Sequence, residues 1–260
     1  MNPYSNDFYE NRVKYTLDSA KEIIPIIIGL IKPKSVVDVG CGTGEWLSIF
    51  KQYGVTTVLG IDGDYVTPKN LKISDQEFLP FDLKKPLRLE RESDLVISVE
   101  VAEHLPPECA EMFIESLTRL GPIILFSAAI PFQSGLHHLN EQWPDYWEEL
   151  FRKQNYQVID CIRKKIWQNA NVAYYYAQNM LLFVKKDLIN KYPQLAEELR
   201  QNESNILSIV HPKSYLLKAD IRNHPSLKII LLSLPALIIR SLKERGIRLV
   251  KWFKRAFFNT

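Results

Sequence analysis

The sequence predicts an α/β protein with a doubly wound, mainly parallel β-sheet. Short apolar runs alternate with helix-like segments at the spacing of βαβ units. Several of these runs end directly in acids or glycines, which is where an open parallel sheet binds its ligand. The 260 residues, 46% hydrophobic and 24% charged, suffice for one well-filled domain with additions.

The elements can be assigned in chain order. Apolar residues at helical spacing predict an N-terminal helical segment over residues 1–32, which Pro33 ends. The sheet domain is expected over residues 33–186, and a helical extension over 187–260. Its first strand is the β-branched run at 35–39, which enters a glycine loop. Further strands are predicted at 57–61, 77–81, 95–99, 122–127, 156–162 and 180–185, and helices at 45–53, 107–120 and 146–154.

The glycine loop after the first strand is a candidate cofactor site. Its glycines allow a tight turn and a close approach of backbone to ligand. A dinucleotide loop would have its third glycine where Glu45 stands. Asp38 and Glu45 would repel a pyrophosphate but attract a ligand with an ammonium and a sulfonium group. The predicted cofactor contacts in this loop are Asp38, Gly40, Cys41, Gly42 and Gly44.

Two acids follow the next strands. Asp62 ends the second strand, where a carboxylate can bind both hydroxyls of a ribose. Asp82 follows the third strand and could accept a hydrogen bond from an adenine amino group, with Phe81 or Leu83 packed on the ring. Alternatively, Asp82 only stabilises a turn.

The segments VVDVGCGTGEW, GIDGDY, FDL and SDLVISVEVAEHL occur in this order. They resemble motifs I to IV of the class I S-adenosylmethionine-dependent methyltransferases over about residues 33–186. The resemblance implies a Rossmann-like, seven-stranded sheet whose last strand is antiparallel, and S-adenosylmethionine as the cofactor. It also implies cofactor contacts by Gly40, Gly42, Asp62, Asp82 and the start of the loop at Glu100.

Polar clusters that follow the fourth and fifth strands suggest the acceptor side. The segment 128–147 is dense in histidine, aromatic and carboxamide side chains, which suit a sugar-like acceptor. Alternatively, its aromatic residues only attach the loop to the domain. Similarly, the aromatic segment 167–176 either lines the acceptor pocket or packs on the first helix. The predicted acceptor contacts are His137, Asn140, Gln142, Trp143 and Tyr146.

Methyl transfer to a hydroxyl requires alignment of the acceptor and removal of its proton. His104, His137 or His138 could be the base, with His104 and His138 favoured, and Glu103 is a further catalytic candidate. Alternatively, a divalent cation could polarise the acceptor oxygen. The ExxEH pattern with a distal histidine resembles the metal site of small-RNA 3′-terminal 2′-O-methyltransferases, although Gln142 interrupts their acidic-Trp pair here. The candidate metal ligands are Glu100, Glu103, His104 and His138.

The whole loop is more similar to that of bacterial methyltransferases of polysaccharide and natural-product biosynthesis, which share H-x-N-E-Q-W-P-x-Y-W. This resemblance implies an O-methyltransferase acting on a hydroxyl of a sugar, glycan or specialised metabolite. The alternatives are a metal-dependent RNA ribose 2′-O-methyltransferase and a non-catalytic methyltransferase-like binding module. The intact glycine loop with Asp62 argues against the binding module.

Charge is distributed unevenly. Residues 240–260 contain seven Lys/Arg and one acid, whereas the rest contains 26 basic and 29 acidic residues, which argues against a nucleic-acid partner. The tail is amphipathic and predicts either attachment to a membrane surface or a helix packed on the domain or at a dimer interface. The oligomeric state and the identity of the acceptor stay open.

Three scattered cysteines, Cys41, Cys109 and Cys161, form no CxxC pair, and no signal peptide is recognised. No apolar stretch reaches the roughly 18 residues that a bilayer span needs. We therefore expect a cytoplasmic protein, or one bound peripherally to the inner face of the membrane.

Overall fold

The computed structural model describes residues 6–133, 135–201, 206–223, 234–235 and 238. The chain forms two compact units, Met1–His211 and Pro212–Thr260. The first unit contains the sheet with strands β1 (Ser35–Val39), β2 (Thr57–Asp62), β3 (Phe78–Pro80), β4 (Leu95–Val99), β5 (Ile123–Ser127), β6 (Tyr156–Ile159) and β7 (Leu181–Lys185). Its helices are α1 (Asn6–Ile31), α2 (Glu45–Gln52), α3 (Ala110–Leu120), α4 (Pro144–Lys153), α5 (Arg163–Ile166), α6 (Tyr174–Asn179) and α7 (Pro193–Gln201), and the second unit contains α8 (Pro212–Asn223).

The sheet has seven strands in the order β3-β2-β1-β4-β5-β7-β6. All neighbours are parallel except β7, which is antiparallel to both β5 and β6. The chain winds outward from β1 to β3 and then crosses to β4 on the other side of β1. The carboxyl ends of β1 and β4 therefore flank the crevice where such a sheet binds ligands. The predicted seven-stranded, doubly wound sheet with an antiparallel last strand is confirmed.

Apolar side chains cover both faces of the sheet. Val36 belongs to the core cluster that contains residues of α1 and α2, whereas Val37 and Val39 belong to the cluster that contains residues of α3 and α4. This split follows from the alternation of side chains along a strand. Asp38 therefore shares the face of Val36, on which α2 packs, and its carboxylate lies near the start of that helix.

The predicted strand at 156–162 was too long, because β6 ends at Ile159 and α5 begins at Arg163. The cause is a buried guanidinium group. Arg163 is 1% exposed, and its side chain bonds the carboxylate of Asp160 and the carbonyl oxygens of Gln178 and Leu207. A buried charge needs such partners, and an extended strand would not bring them together.

Several expectations concern other parts of the chain. The sheet lies inside the predicted 33–186 domain, but the first compact unit extends to His211, and the predicted domain limits stay a prediction. The basic amphipathic tail lies outside the described residues. Within the described ranges, no helix has both the length and the apolar character needed to cross a bilayer. Cys41, Cys109 and Cys161 are free thiols.

Tyr156 provides a test of how the end of α3 is fixed to the sheet. The single proton of its buried hydroxyl is shared between two acceptors, the carbonyl oxygens of Thr118, at 2.9 Å, and Gly121, at 2.7 Å. Tyr156→Phe leaves these acceptors without their donor, and we expect a loss of about 1–3 kcal/mol in the free energy of unfolding, measured with urea. Tyr53→Phe is the matched control, since Tyr53 is 47% exposed. Equal stability of the two variants would contradict the assignment.

Candidate active site

The loop between β1 and α2 is hydrogen-bonded to the end of β2, and part of its backbone is accessible to a ligand. The backbone N–H groups of Gly40 and Cys41 donate to the carbonyl oxygen of Ile61, at 2.7 and 3.2 Å. Gly40 has φ +86°, and a Cβ there would lie 2.3 Å from the side chain of Val101. At Gly42, with φ +55°, a Cβ would have only the Glu45 carboxylate within 4 Å, at 3.8 Å. The backbone at Gly42 is therefore accessible to a ligand, whereas Gly40 is required by internal packing.

Asp62 lies directly against this loop. It ends β2, is 5% exposed, and accepts a hydrogen bond on Oδ2 from the N–H of Gly42, at 2.7 Å. Its Oδ1 accepts one from the N–H of Gly63, also at 2.7 Å. The two features on which the cofactor prediction depends, the glycine bend and the acid predicted to bind the ribose, thus face each other.

The loop carries an excess of negative charge. Asp38 is 2% exposed, and its Oδ2 has no hydrogen-bond partner in the described structure. Burial, and after it the charges of Asp62 and Glu45, raise the pKa of Asp38 well above its usual range. Across the described ranges, none of these three acids pairs with a lysine or arginine. Such a site favours a cationic ligand. Burial also raises the pKa of the Cys41 thiol, which donates to the carbonyl oxygen of Gly42.

The third predicted nucleoside contact is less enclosed. Asp82 is exposed, and its Oδ1 accepts a hydrogen bond from the N–H of Lys84, at 3.1 Å, so it stabilises a turn. Phe81 and Leu83 are half-buried against the core cluster on the α3 side, and the N–H of Phe81 donates to the carbonyl oxygen of Asp62. Contact of these three residues with adenine stays a prediction.

Glu100, at the end of β4, is held in a left-handed backbone conformation with φ +56°. Its N–H donates to the carbonyl and hydroxyl oxygens of Ser127, at 3.0 and 3.1 Å. Its carboxylate accepts hydrogen bonds from Asn179 Nδ2, at 3.0 Å, and Gln133 Nε2, at 2.8 Å. Burial raises the pKa of Glu100, and these hydrogen bonds oppose the rise. A residue other than glycine in the left-handed conformation costs free energy, and the hydrogen bonds around Glu100 hold its backbone in that conformation.

A network of carboxamides around Glu100 was not predicted. Gln178 Nε2 donates to Gln133 Oε1, at 3.1 Å, and to Asn179 Oδ1, at 2.9 Å, while the N–H of His211 donates to Gln178 Oε1, at 2.9 Å. The sequence feature that could have indicated this network is the pair of adjacent carboxamides, Gln178 and Asn179, directly before the last strand. Because β7 is antiparallel to β5, its beginning lies at the carboxyl end of the parallel strands, beside Glu100.

Glu103, His104 and His138 form a compact cluster next to this network. One potential ligand atom from each lies within 4.8 Å of the others. The two imidazole rings meet edge to face with centroids 4.8 Å apart. Glu103 is fully buried, and neither of its carboxylate oxygens has a hydrogen-bond partner in the described structure. Burial, followed by the charge of Glu100, raises the pKa of Glu103 well above its usual range.

The loop after β5 selects His138, and not His137, for this cluster. His138 Nδ1 lies 2.8 Å from Glu141 Oε1, and Glu141 Oε2 accepts a hydrogen bond from the N–H of Phe132, also at 2.8 Å. A Cβ on Gly135 would lie 2.1 Å from His138 Nε2, so the ring packs directly on that backbone. His137 is exposed, with φ +56° in the turn.

The predicted acceptor contacts differ in exposure. Asn140 is 2% exposed, its N–H donates to the carbonyl oxygen of Glu103, and its Oδ1 accepts from Gln142 Nε2 at 2.9 Å. Trp143 is 40% exposed, whereas Tyr146 is half-buried and packs edge-on against the core residue Trp147.

The segment 167–176 packs on the first helix, which is one of the two alternatives that the sequence predicted. Asn169 and Asn171 donate to the carboxylate of Glu22, at 2.8 and 3.0 Å. Tyr174, in the same segment, lies close enough to Glu100 for that charge, after burial, to raise the pKa of its hydroxyl. The segment therefore reaches both α1 and the surroundings of Glu100.

The family described as "Methyltransferase domain" matches residues 12–160, which is more than half of the chain. The chain therefore belongs to this family of methyltransferase domains. Together with the strand order, this match confirms the resemblance to the class I S-adenosylmethionine-dependent methyltransferases.

Individual relatives are distant. Norajmaline N-methyltransferase from Rauvolfia serpentina is 30% identical over 114 residues, which cover 38% of this chain and 37% of that enzyme. The chain thus matches little more than a third of that relative's length. The crystal structure of Streptomyces venezuelae DesVI has a TM-score of 0.51 at 16% identity and covers 69% of this chain and 95% of its own. The methyltransferase domain of bacterial CtHen1-C has a TM-score of 0.49 at 16% identity, over 65% of this chain and 98% of its own.

The raised pKa of the buried Asp38 carboxyl group predicts a pH-dependent stability. Because its folded pKa is raised, the native protein keeps a proton that the unfolded chain releases above about pH 4. The free energy of unfolding contributed by this group is therefore fully present below that pH and is lost as the pH rises through the folded pKa. We expect Asp38→Asn to be more stable than the wild type at neutral pH, with a difference that grows from about pH 4 upward.

Urea unfolding across this pH range measures the difference. Asp75→Asn, on an exposed turn, is the control and should show no such growth. A difference that is constant with pH, or a less stable Asp38→Asn variant at every pH, would contradict the assignment.

Proposed function

We propose that the protein transfers a methyl group from S-adenosylmethionine to a hydroxyl of a sugar, glycan or specialised metabolite. The observation that carries this proposal is the pair of imidazoles, His104 and His138, held beside the buried Glu103 at the carboxyl end of β4. Bases at this point border the crevice in which the methyl group would be presented.

The cofactor half of the site is assigned to the glycine loop and its acids. Asp62 binds the ribose, since its carboxylate is already turned toward Gly42. The buried carboxyl group of Asp38 receives the ammonium and sulfonium groups, whose positive charge favours its ionised form and offsets the raised pKa. The remaining proposed contacts are Gly40, Cys41 and Gly44 in the loop, Phe81, Asp82 and Leu83 around the adenine, and Glu100 beside the methyl group.

Bound S-adenosylmethionine supplies the methyl group and a thioether leaving group. The chain aligns the acceptor hydroxyl and takes up its proton. With Nδ1 of His138 donating to the Glu141 carboxylate, the lone pair stays on Nε2, and this nitrogen accepts the proton. Glu141 then stabilises the imidazolium that results. His104 packs edge-on against the same ring and fixes its plane.

The acceptor is proposed to bind along the loop after β5. Asn140 lies in the wall of the site next to Glu103, with its Nδ2 lacking a hydrogen-bond partner in the described structure, and Gln142 bonds its oxygen. Trp143 and Tyr146 provide apolar surface for a sugar ring, and His137 lies exposed at the rim. A buried amide donor without a partner is costly unless a ligand satisfies it, which supports a hydroxylated acceptor.

Cation-assisted transfer is a second candidate, favoured by the state of Glu103. A fully buried carboxylate without hydrogen-bond partners, facing two imidazoles, is a donor set that fits a divalent cation. Glu103, His104 and His138 would hold the ion, which would polarise the acceptor oxygen and lower the pKa of its hydroxyl. Glu100 is committed to Asn179 and Gln133 and is the weaker ligand candidate of the four.

Calorimetry with S-adenosylmethionine tests the cofactor half. Asp62→Asn replaces one acceptor oxygen by a donor, and we expect binding to weaken about tenfold to a hundredfold. Asp64→Asn, two residues along and exposed, should bind as the wild type does. If Asp62→Asn retained full affinity, the ribose assignment would be wrong, and a wild type that does not bind would favour a non-catalytic module.

Transfer of labelled methyl groups into fractionated cell extract tests the base. We expect His138→Gln to lower the rate by about 10²-fold to 10⁴-fold with unchanged cofactor affinity, and His137→Gln, at the exposed rim, to lower it far less. Gly135→Ala should act in the same direction, because its Cβ displaces the His138 ring. Equal activity of the two histidine variants would remove His138 from the mechanism.

Metal removal separates the two candidate mechanisms. If a cation takes part, chelation should abolish transfer, added Mn²⁺ should restore it, and calorimetry should show Mn²⁺ binding that is lost in Glu103→Gln. Transfer that is undiminished in metal-free protein would leave the imidazole acting alone. Incorporation of label into RNA rather than into glycan or small-molecule fractions would contradict the proposed acceptor class.

A further inference from the structure

The carboxylate of Asp62 is engaged by more than the glycine loop. Oδ2 accepts one hydrogen bond, from the N–H of Gly42, and Oδ1 accepts one from the N–H of Gly63. The hydroxyl of Tyr65 also donates to Oδ1. A carboxylate offers about four acceptor positions, two on each oxygen. Oδ1 is therefore filled, while Oδ2 keeps one position.

A ribose that binds through both of its vicinal hydroxyls needs one acceptor position on each oxygen of the acid. Oδ1 can offer that position only after the Tyr65 hydroxyl has left it. We propose that Tyr65 competes with the ribose hydroxyl for Asp62 and thereby sets the affinity of the site for its adenosyl cofactor. This inference rests on the proposed role of Asp62 and names Tyr65 as a residue that limits that role.

The local sequence is built to bring the tyrosine back onto the acid. Gly63 lies between them, and a Cβ there would be 2.1 Å from Cε1 and 3.0 Å from Cζ of the Tyr65 ring. A hydrogen bond from the N–H of Val66 to the carbonyl oxygen of Gly63, at 3.2 Å, closes the turn. Any larger residue at position 63 would therefore push the ring off Asp62.

The hydrogen bond from Tyr65 to Asp62 can be replaced by one from another donor with little loss of packing. Tyr65 is 76% exposed, so the core does not hold its ring in place. Burial of the hydroxyl and the hydrogen bond to Asp62 raise the pKa of Tyr65, so that the group stays a donor across the physiological pH range. Exchange of one hydroxyl donor for another on the same oxygen leaves the carboxylate satisfied in both states.

The test is the affinity of Tyr65→Phe for S-adenosylmethionine and S-adenosylhomocysteine, measured by calorimetry. The variant keeps the ring and removes the competing donor, so we expect both ligands to bind about threefold to tenfold more tightly than to the wild type. Tyr53→Phe, also exposed and on the opposite end of α2 from the glycine loop, should bind as the wild type does. A merely structural role of Tyr65 would not tighten binding.

An analogue of S-adenosylhomocysteine that lacks both ribose hydroxyls sharpens the test. It should show no gain in Tyr65→Phe, since it does not use the released position on Asp62. Equal or weaker binding of S-adenosylhomocysteine by the variant would overturn the competition and would indicate a ring that supports the cofactor directly. A wild type that binds neither ligand would overturn the role of Asp62 itself, and with it the proposed function.

Discussion

The hydrogen bond from the N–H of Gly42 to the carboxylate of Asp62 is the contact on which the site depends. It exists because β1 and β2 are parallel neighbours in a register that pairs Val39 with Ile61. The pairing continues beyond the strand, since the N–H groups of Gly40 and Cys41 still donate to Ile61. The loop therefore leaves β1 fixed to the end of β2 and passes over the acid. A cofactor that binds both the loop and Asp62 meets a surface already formed by strand pairing.

The proposed acceptor half is assembled differently, by a loop that folds back on the end of β4. The N–H groups of Leu139 and Asn140 donate to the carbonyl oxygen of Glu103, and this return brings His138 to His104. On the far side, the antiparallel β7 carries Asn179 to the carboxylate of Glu100. Among the described residues, Glu103 is buried, Glu100 is half-buried and neither pairs with a lysine or arginine, which is unfavourable for ionised carboxylates and raises the pKa of both.

The sequence was sufficient to predict those elements that depend on residues close to one another in the chain. The β-branched runs at Ser35–Val39 and Leu95–Val99 predicted the observed strand limits, and the acid and glycines at their ends predicted where the crevice lies. The end of β6 could not be predicted in this way, because it depends on Arg163 finding the carbonyl oxygens of Gln178 and Leu207, which are remote in sequence. The carboxamide network around Glu100 escaped prediction for the same reason. Choosing between His137 and His138 required the backbone of Gly135 and the carboxylate of Glu141.

Strand pairing thus positions the proposed cofactor site, whereas contacts within a loop position the proposed base. Sheet register fixes the Gly42–Asp62 contact, so the cofactor half tolerates change elsewhere as long as β1 and β2 stay paired. No strand pairing fixes the position of His138. Its place depends on hydrogen bonds to one carbonyl group, on Glu141 and on the absence of a side chain at Gly135. A substitution in this loop can therefore move the proposed base or reshape the acceptor wall without disturbing the cofactor site. Under the proposed function, acceptor choice is consequently encoded in the segment between β5 and α4, whereas methyl-donor choice is encoded in the sheet.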